Sequence, residues 1–76
     1  MQRFGTKLRA LRKRHQMTLM ELADALGYTA YSYLSEVETG KLNPSLELAL
    51  KVSRLFNVTL DQLLKDELEL DEEGDM

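Results

Sequence analysis

Thr18-Leu19-Met20-Glu21-Leu22-Ala23-Asp24-Ala25-Leu26-Gly27 decides the fold. Thr18 and Glu21 stand in the T-x-x-E arrangement, in which the hydroxyl and the carboxylate each satisfy an orphan backbone donor, so a helix begins there. Leu19, Leu22, Ala23 and Leu26 share one face of it, and Gly27 can take the left-handed conformation that ends a helix at low cost. That helix is only about two turns long. Beyond Gly27 a third helix opens at Thr29 or Ala30, with Ala30, Leu34 and Val37 inward and Ser32, Ser35, Glu36 and Thr39 facing the other way, and Gly40 closes it. Ala23 is small where one helix would cross the other closely. Two short helices joined by a tight turn, the second with a small polar outer face, have the geometry that lets a helix enter the major groove of DNA. Many helical bundles contain such a pair, so the geometry alone leaves DNA binding and a protein-interaction bundle both open.

Upstream, Phe4, Leu8, Leu11 and His15 recur at spacings of four, three and four, which makes one stripe of a first helix with Arg12 at its edge. Downstream, Lys41-Leu42-Asn43-Pro44 reads as a loop, because proline disfavours helical backbone in the residue before it. Ser45 caps a fourth helix with Leu46, Ala49, Leu50, Ser53 and Phe56 on its core side, and Asn57 suits the left-handed position after it. Thr59-Leu60-Asp61-Gln62 repeats the cap as T-x-x-Q and opens a short fifth helix carrying Leu60, Leu63 and Leu64. Five short helices occupy residues 1–65, where the strands of an α/β sheet are missing. Only Glu67-Leu68-Glu69-Leu70-Asp71 alternates with period two, so a short strand, a frayed helix end and disorder all stay open for the tail.

At 76 residues the chain is expected to form one small domain, and 43 % hydrophobic with 30 % charged residues is a globular mixture that favours neither a fibrous nor a disordered reading. Cysteine is absent, which excludes disulfides and thiolate metal sites. His15 is the only histidine and has no carboxylate at ligand spacing, so it reads as a packed or edge residue rather than a metal ligand or catalytic base. No glycine-rich phosphate loop and no Ser/His/Asp set is recognisable, so no enzyme, cofactor, metal or small-molecule ligand is expected. No run approaches the roughly 18 apolar residues that span a bilayer, and no secretory signal opens the chain; a cytoplasmic protein without membrane contact is expected. The net charge of −3 hides an asymmetry: residues 1–65 carry ten Lys and Arg against six acids, a balance of +4, while residues 66–76 carry seven acids and no base. Arg3, Lys7, Arg9, Arg12, Lys13 and Arg14 crowd the first fourteen positions, a density that serves phosphate binding or simply a solvated helix face.

Leu22-Ala23-Asp24-Ala25-Leu26-Gly27, then Leu34-Ser35-Glu36-Val37-Glu38-Thr39-Gly40-Lys41 and Asn43-Pro44-Ser45-Leu46-Glu47, resemble the phage-repressor-like helix-turn-helix family, also called the xenobiotic response element family. The resemblance runs from about Phe4 to Leu64 and includes Phe56-Asn57-Val58-Thr59-Leu60-Asp61-Gln62-Leu63-Leu64. It implies an all-α, five-helix, lambda-repressor-like DNA-binding domain in residues 1–65, a short acidic extension in residues 66–76, and double-stranded DNA as the partner. It also implies a structural ion pair between Arg12 and Glu38, base-reading positions at Tyr31, Ser32 and Glu36 with Ser35 and Tyr33 nearby, and phosphate contacts from Thr18 and Leu19 at the start of the second helix and from Thr39, Gly40, Lys41 and Asn43. Glu36 could accept from the exocyclic amine of cytosine or be a solvated acid, and Tyr31 and Tyr33 could be core-edge rings. The chain departs from the family in two places. Leu19 stands where many members have a glutamine, and the segment between Gly27 and Gly40 has one residue more than the commonest spacing, within Tyr28-Thr29-Ala30.

Leu48, Val52 and Leu55 form a second apolar stripe on the fourth helix, which a second copy or the tail would have to cover. A homodimer is expected there, with Leu68 and Leu70 adding to the interface or staying solvated. Two copies would offer two reading helices to half-sites roughly 34 Å apart on a palindromic operator. The expected function is a sequence-specific transcriptional regulator acting as a repressor. The alternative is an antitoxin-like or adaptor module that keeps the fold without sequence-specific DNA binding.

Overall fold

Three of the helix starts carry the side-chain caps that the sequence places there. The computed structural model describes residues 3–66, which form α1 (Phe4–Arg14), α2 (Leu19–Leu26), α3 (Tyr31–Glu38), α4 (Leu46–Phe56) and α5 (Leu60–Leu64), with no strand among the described residues. Thr18 and Thr59 each close a full capping box, with Glu21 and Gln62 respectively, and the Ser45 hydroxyl accepts from the Leu48 amide at 3.1 Å. Gly27 (φ 85°) and Asn57 (φ 56°) take the left-handed conformation that ends α2 and α4. Leu68, Leu70 and the rest of the acidic extension from residue 67 lie outside the described residues.

α1 packs on α3 and α5, α2 on α3 and α4, and α4 on α5. They enclose Phe4, Leu8, Leu11, Leu22, Leu34, Val37, Leu48, Val52 and Leu63, all essentially without solvent contact. Burial of this continuous apolar surface is what holds helices too short to be stable alone. Among the described residues no helix is long and apolar enough to cross a membrane.

Two expectations about helix faces are corrected. Ala30 is the exposed N-cap of α3 rather than part of its inward stripe, which begins at Leu34. On α4 the inward residues are Leu48, Ala49, Val52 and Phe56. Leu48 and Val52, expected at a dimer interface, are fully buried inside the chain's own core, while Leu46, expected inward, is 67 % exposed. At about 100° per residue the apolar positions of α4 wrap more than half of the helix, and the inward arc lies midway between the two stripes read from the sequence. It takes Leu48 and Val52 from one and Ala49 and Phe56 from the other. Leu46 is left exposed and Leu50 half-buried on one flank, with Leu55 exposed on the other.

The amino end of α1 is clasped to the end of α5. Lys7 is 2 % exposed, and its Nζ donates to the carbonyls of Gln62 and of Lys65, the latter at 2.8 Å. These are carbonyls at a helix end that would otherwise lack donors, and a cation there also meets the negative end of the helix dipole. Arg3 reaches further along the same chain, its amide donating to Asp66 Oδ1 at 3.0 Å and its Nη1 to the Asp66 carbonyl at 2.7 Å. Arg3 and Lys7, from the bases crowded near the amino end, therefore hold the fold together, whereas Arg9 and Lys13 are exposed.

Candidate nucleic-acid interface

α3 presents one side to the core and leaves the other open. Leu34 and Val37 point inward and are buried, while Tyr31, Ser32, Glu36 and Thr39 are exposed and Ser35 is half-buried between them. These positions follow the helical period, so hydroxyls, a phenol and a carboxylate share one accessible face. Tyr31 is on that face at 49 % exposure. Tyr33 is not: it is half-buried, its ring 5.4 Å from that of Tyr28, so it is the core-edge ring of the pair. Tyr28 in turn packs beneath Lys51 of α4, whose Nζ is 4.6 Å from the ring centroid. Burial raises the Tyr28 phenol above its usual range, and the Lys51 charge opposes the shift in part.

The far end of α3 is held by the expected ion pair. Arg12 Nε donates to Glu38 Oε2 at 2.8 Å and Nη2 to Oε1 at 3.2 Å, while Nη1 donates to the Met17 carbonyl at 2.9 Å. One guanidinium thus ties α1, the α1–α2 connection and the end of α3. Only 12 % of the Arg12 side chain and 5 % of the Glu38 side chain meet solvent. Gly5 lets α1 come this close, for a Cβ there would lie 2.2 Å from the Val37 carbonyl oxygen. Leu34, Val37 and Glu38 thus anchor α3, which begins at Tyr31 after the exposed N-cap Ala30.

The expected phosphate contacts separate into available and occupied groups. Lys41 and Asn43 are exposed in the loop after α3. The Thr39 hydroxyl is exposed but donates to the Glu36 carbonyl at 3.2 Å. The Gly40 amide donates to the Val37 carbonyl at 3.2 Å, and its left-handed backbone (φ 87°) turns the chain into the loop. At the start of α2 the Thr18 amide donates to the Glu21 carboxylate at 2.8 Å, and the Thr18 hydroxyl accepts from the Glu21 amide at 3.0 Å. The amides of Leu19 and Met20 are the first-turn donors for which an α-helix provides no partner.

His15 is exposed at the end of α1 with its ring centroid 4.8 Å from that of Phe56, an edge residue as its isolation in the sequence suggested. Two residues escaped the sequence reading. Gly5 carries no signal until the helix crossing is known. Met20 does carry one, an apolar residue off the inward stripe of α2, where it is 66 % exposed.

A helix-turn-helix family model matches residues 8–63. An uncharacterized HTH-type transcriptional regulator of Archaeoglobus fulgidus is 40 % identical over 58 residues, covering 76 % of this chain and 81 % of that protein. Among solved structures, the N-terminal DNA binding domain of SinR from Bacillus subtilis superposes with a TM-score of 0.79 at 34 % identity, covering 91 % of this chain and 100 % of that one. The restriction-modification controller protein C.AhdI from Aeromonas hydrophila gives 0.72 at 32 % identity, covering 83 % and 94 %.

Proposed function

We propose, from the premise that this chain belongs to the xenobiotic-response-element type of the helix-turn-helix family, that it is a sequence-specific DNA-binding transcriptional regulator. The observation that carries this reading is the accessible polar side of α3, backed by a rigid inner side. α3 enters the major groove with Tyr31, Ser32, Ser35 and Glu36 toward base edges, and Glu36 accepts from the amine of a cytosine. Thr18, Thr39, Lys41 and Asn43 hold the flanking phosphates.

A single module of this size binds weakly, so the chain acts as a homodimer on a two-fold operator, in the compartment of its DNA, the cytoplasm. With Leu48 and Val52 committed to the core, Leu55 and Leu46 are the exposed apolar residues α4 has to offer a second copy. Repression is the simplest action, since occupying a promoter needs only the DNA contact.

Selection of bound duplexes from a random library is expected to return a two-fold motif whose affinity falls steeply with salt. In the same selection Glu36→Gln is expected to change preference at one position per half-site; an unchanged motif removes Glu36 from the reading set. Glu21, Asp24 and Glu36 are exposed acids on or beside this face, which favours the rival reading of an adaptor or antitoxin-like module. That rival predicts no enriched duplex and no salt-dependent binding.

A further inference from the structure

Met20 and Tyr31 face a common groove of about 500 Å³ between α2 and the start of α3. Ala23 and Tyr28 are its better-buried lining, and the exposed Glu21 and Asp24 its acidic border. The fold does not need either apolar group there, because Leu22, Ala23 and Leu26 already supply the inward face of α2. Yet Met20 is 66 % and Tyr31 49 % exposed, side by side with the polar face of α3.

We propose that Met20 and Tyr31 together form the contact for the C5-methyl group of one thymine in each half-site. The inference rests on the DNA reading above and gives that site a base preference. The thymine methyl is the apolar group that the major-groove edge of a base pair presents. An acidic border repels phosphate, so what fits an apolar groove continuous with the reading face is a neutral base edge rather than the backbone. A thioether on a flexible stem adapts its position to such a small group. Met20 lies on α2, so part of the specificity comes from outside the reading helix.

The test uses the full chain and the duplex it selects. Each thymine is replaced in turn by deoxyuridine, which keeps the pairing edge and removes only the methyl. One replacement per half-site is expected to weaken binding by about fourfold, the worth of one buried methyl group. In Met20→Ala, an exposed position whose truncation spares the core, the same replacement is expected to cost nothing further. Lys41→Ala serves as the contrast, lowering affinity for thymine and uracil duplexes alike. A selected motif without thymine, uniform tolerance of uracil, or a penalty that persists in Met20→Ala overturns the methyl contact while leaving the DNA reading intact. A change of association state in Met20→Ala with the uracil penalty unchanged overturns it too, in favour of a protein contact. Failure to enrich any duplex overturns the DNA reading, and the methyl contact with it.

Discussion

Gly5 has no room for a side chain. A Cβ would stand 2.2 Å from the Val37 carbonyl oxygen and 2.8 Å from that of Glu38, and both neighbours are backbone at the end of α3. Gly5→Ala must therefore push α1 off α3. Overpacking of this kind costs about 1–3 kcal/mol, and contact with backbone places this substitution near the upper end. Urea unfolding checks it, and a loss below about 1 kcal/mol would mean that α1 slides aside freely. Arg12 and Glu38 are a second residue-scale case. Glu38→Ala leaves a nearly dry guanidinium that keeps its donation to the Met17 carbonyl but loses its counter-charge. A loss of about 3 kcal/mol is expected, the lower end for such a pair because Arg12 keeps some water contact. The double replacement Arg12→Met with Glu38→Leu is expected to be less damaging than either single truncation, and simply additive losses would show that the two groups are not coupled. The pair was legible beforehand through the family resemblance, whereas Gly5 was not, because a glycine inside a helix signals nothing until a second helix is laid against it.

At the scale of the helix, α4 shows where periodicity stops being informative. Apolar residues at 46, 48, 49, 50, 52, 55 and 56 admit more than one inward face, and packing against α2 and α5 selects the arc through Leu48, Ala49, Val52 and Phe56. Leu48→Ala is therefore expected to cost about 3 kcal/mol, as deletion of a fully buried leucine does. Leu46→Ala, at an exposed position, is expected to stay within about 0.5 kcal/mol. Denaturant midpoints of the two variants decide the matter, and the reverse order would restore the face read from the sequence. On α3 the ambiguity is confined to the two tyrosines, of which Tyr33 is half-buried and Tyr31 exposed. Only Leu34 and Val37 are aliphatic, so the outward placement of Ser32, Glu36 and Thr39 followed directly from the pattern.

The molecule as a whole combines a basic body with an acidic end. Residues 67–76 contain six Asp and Glu and no base, and Asp66 just before them is clasped by Arg3 at the amino end of α1. The expectation is that the charge of this stretch competes with phosphate for the exposed bases of the body. Deleting residues 67–76, which spares the Asp66 clasp, is expected to strengthen binding to random duplex at low salt and to have little effect once salt screens the charges. Equal affinity of the truncated and intact chains at low salt would remove this role. Local signals in the sequence determined where helices begin and end: Thr18, Ser45 and Thr59 cap, and Gly27 and Asn57 terminate, because such choices involve backbone groups only a few residues away. Only the tertiary structure decided which arc of α4 turns inward, that Lys7 closes α5 from 55 residues away, and that Met20 and Tyr31 border one groove. Each of those outcomes depends on atoms from different helices meeting in space, and the packing that brings them together cannot be read from the period of any one helix.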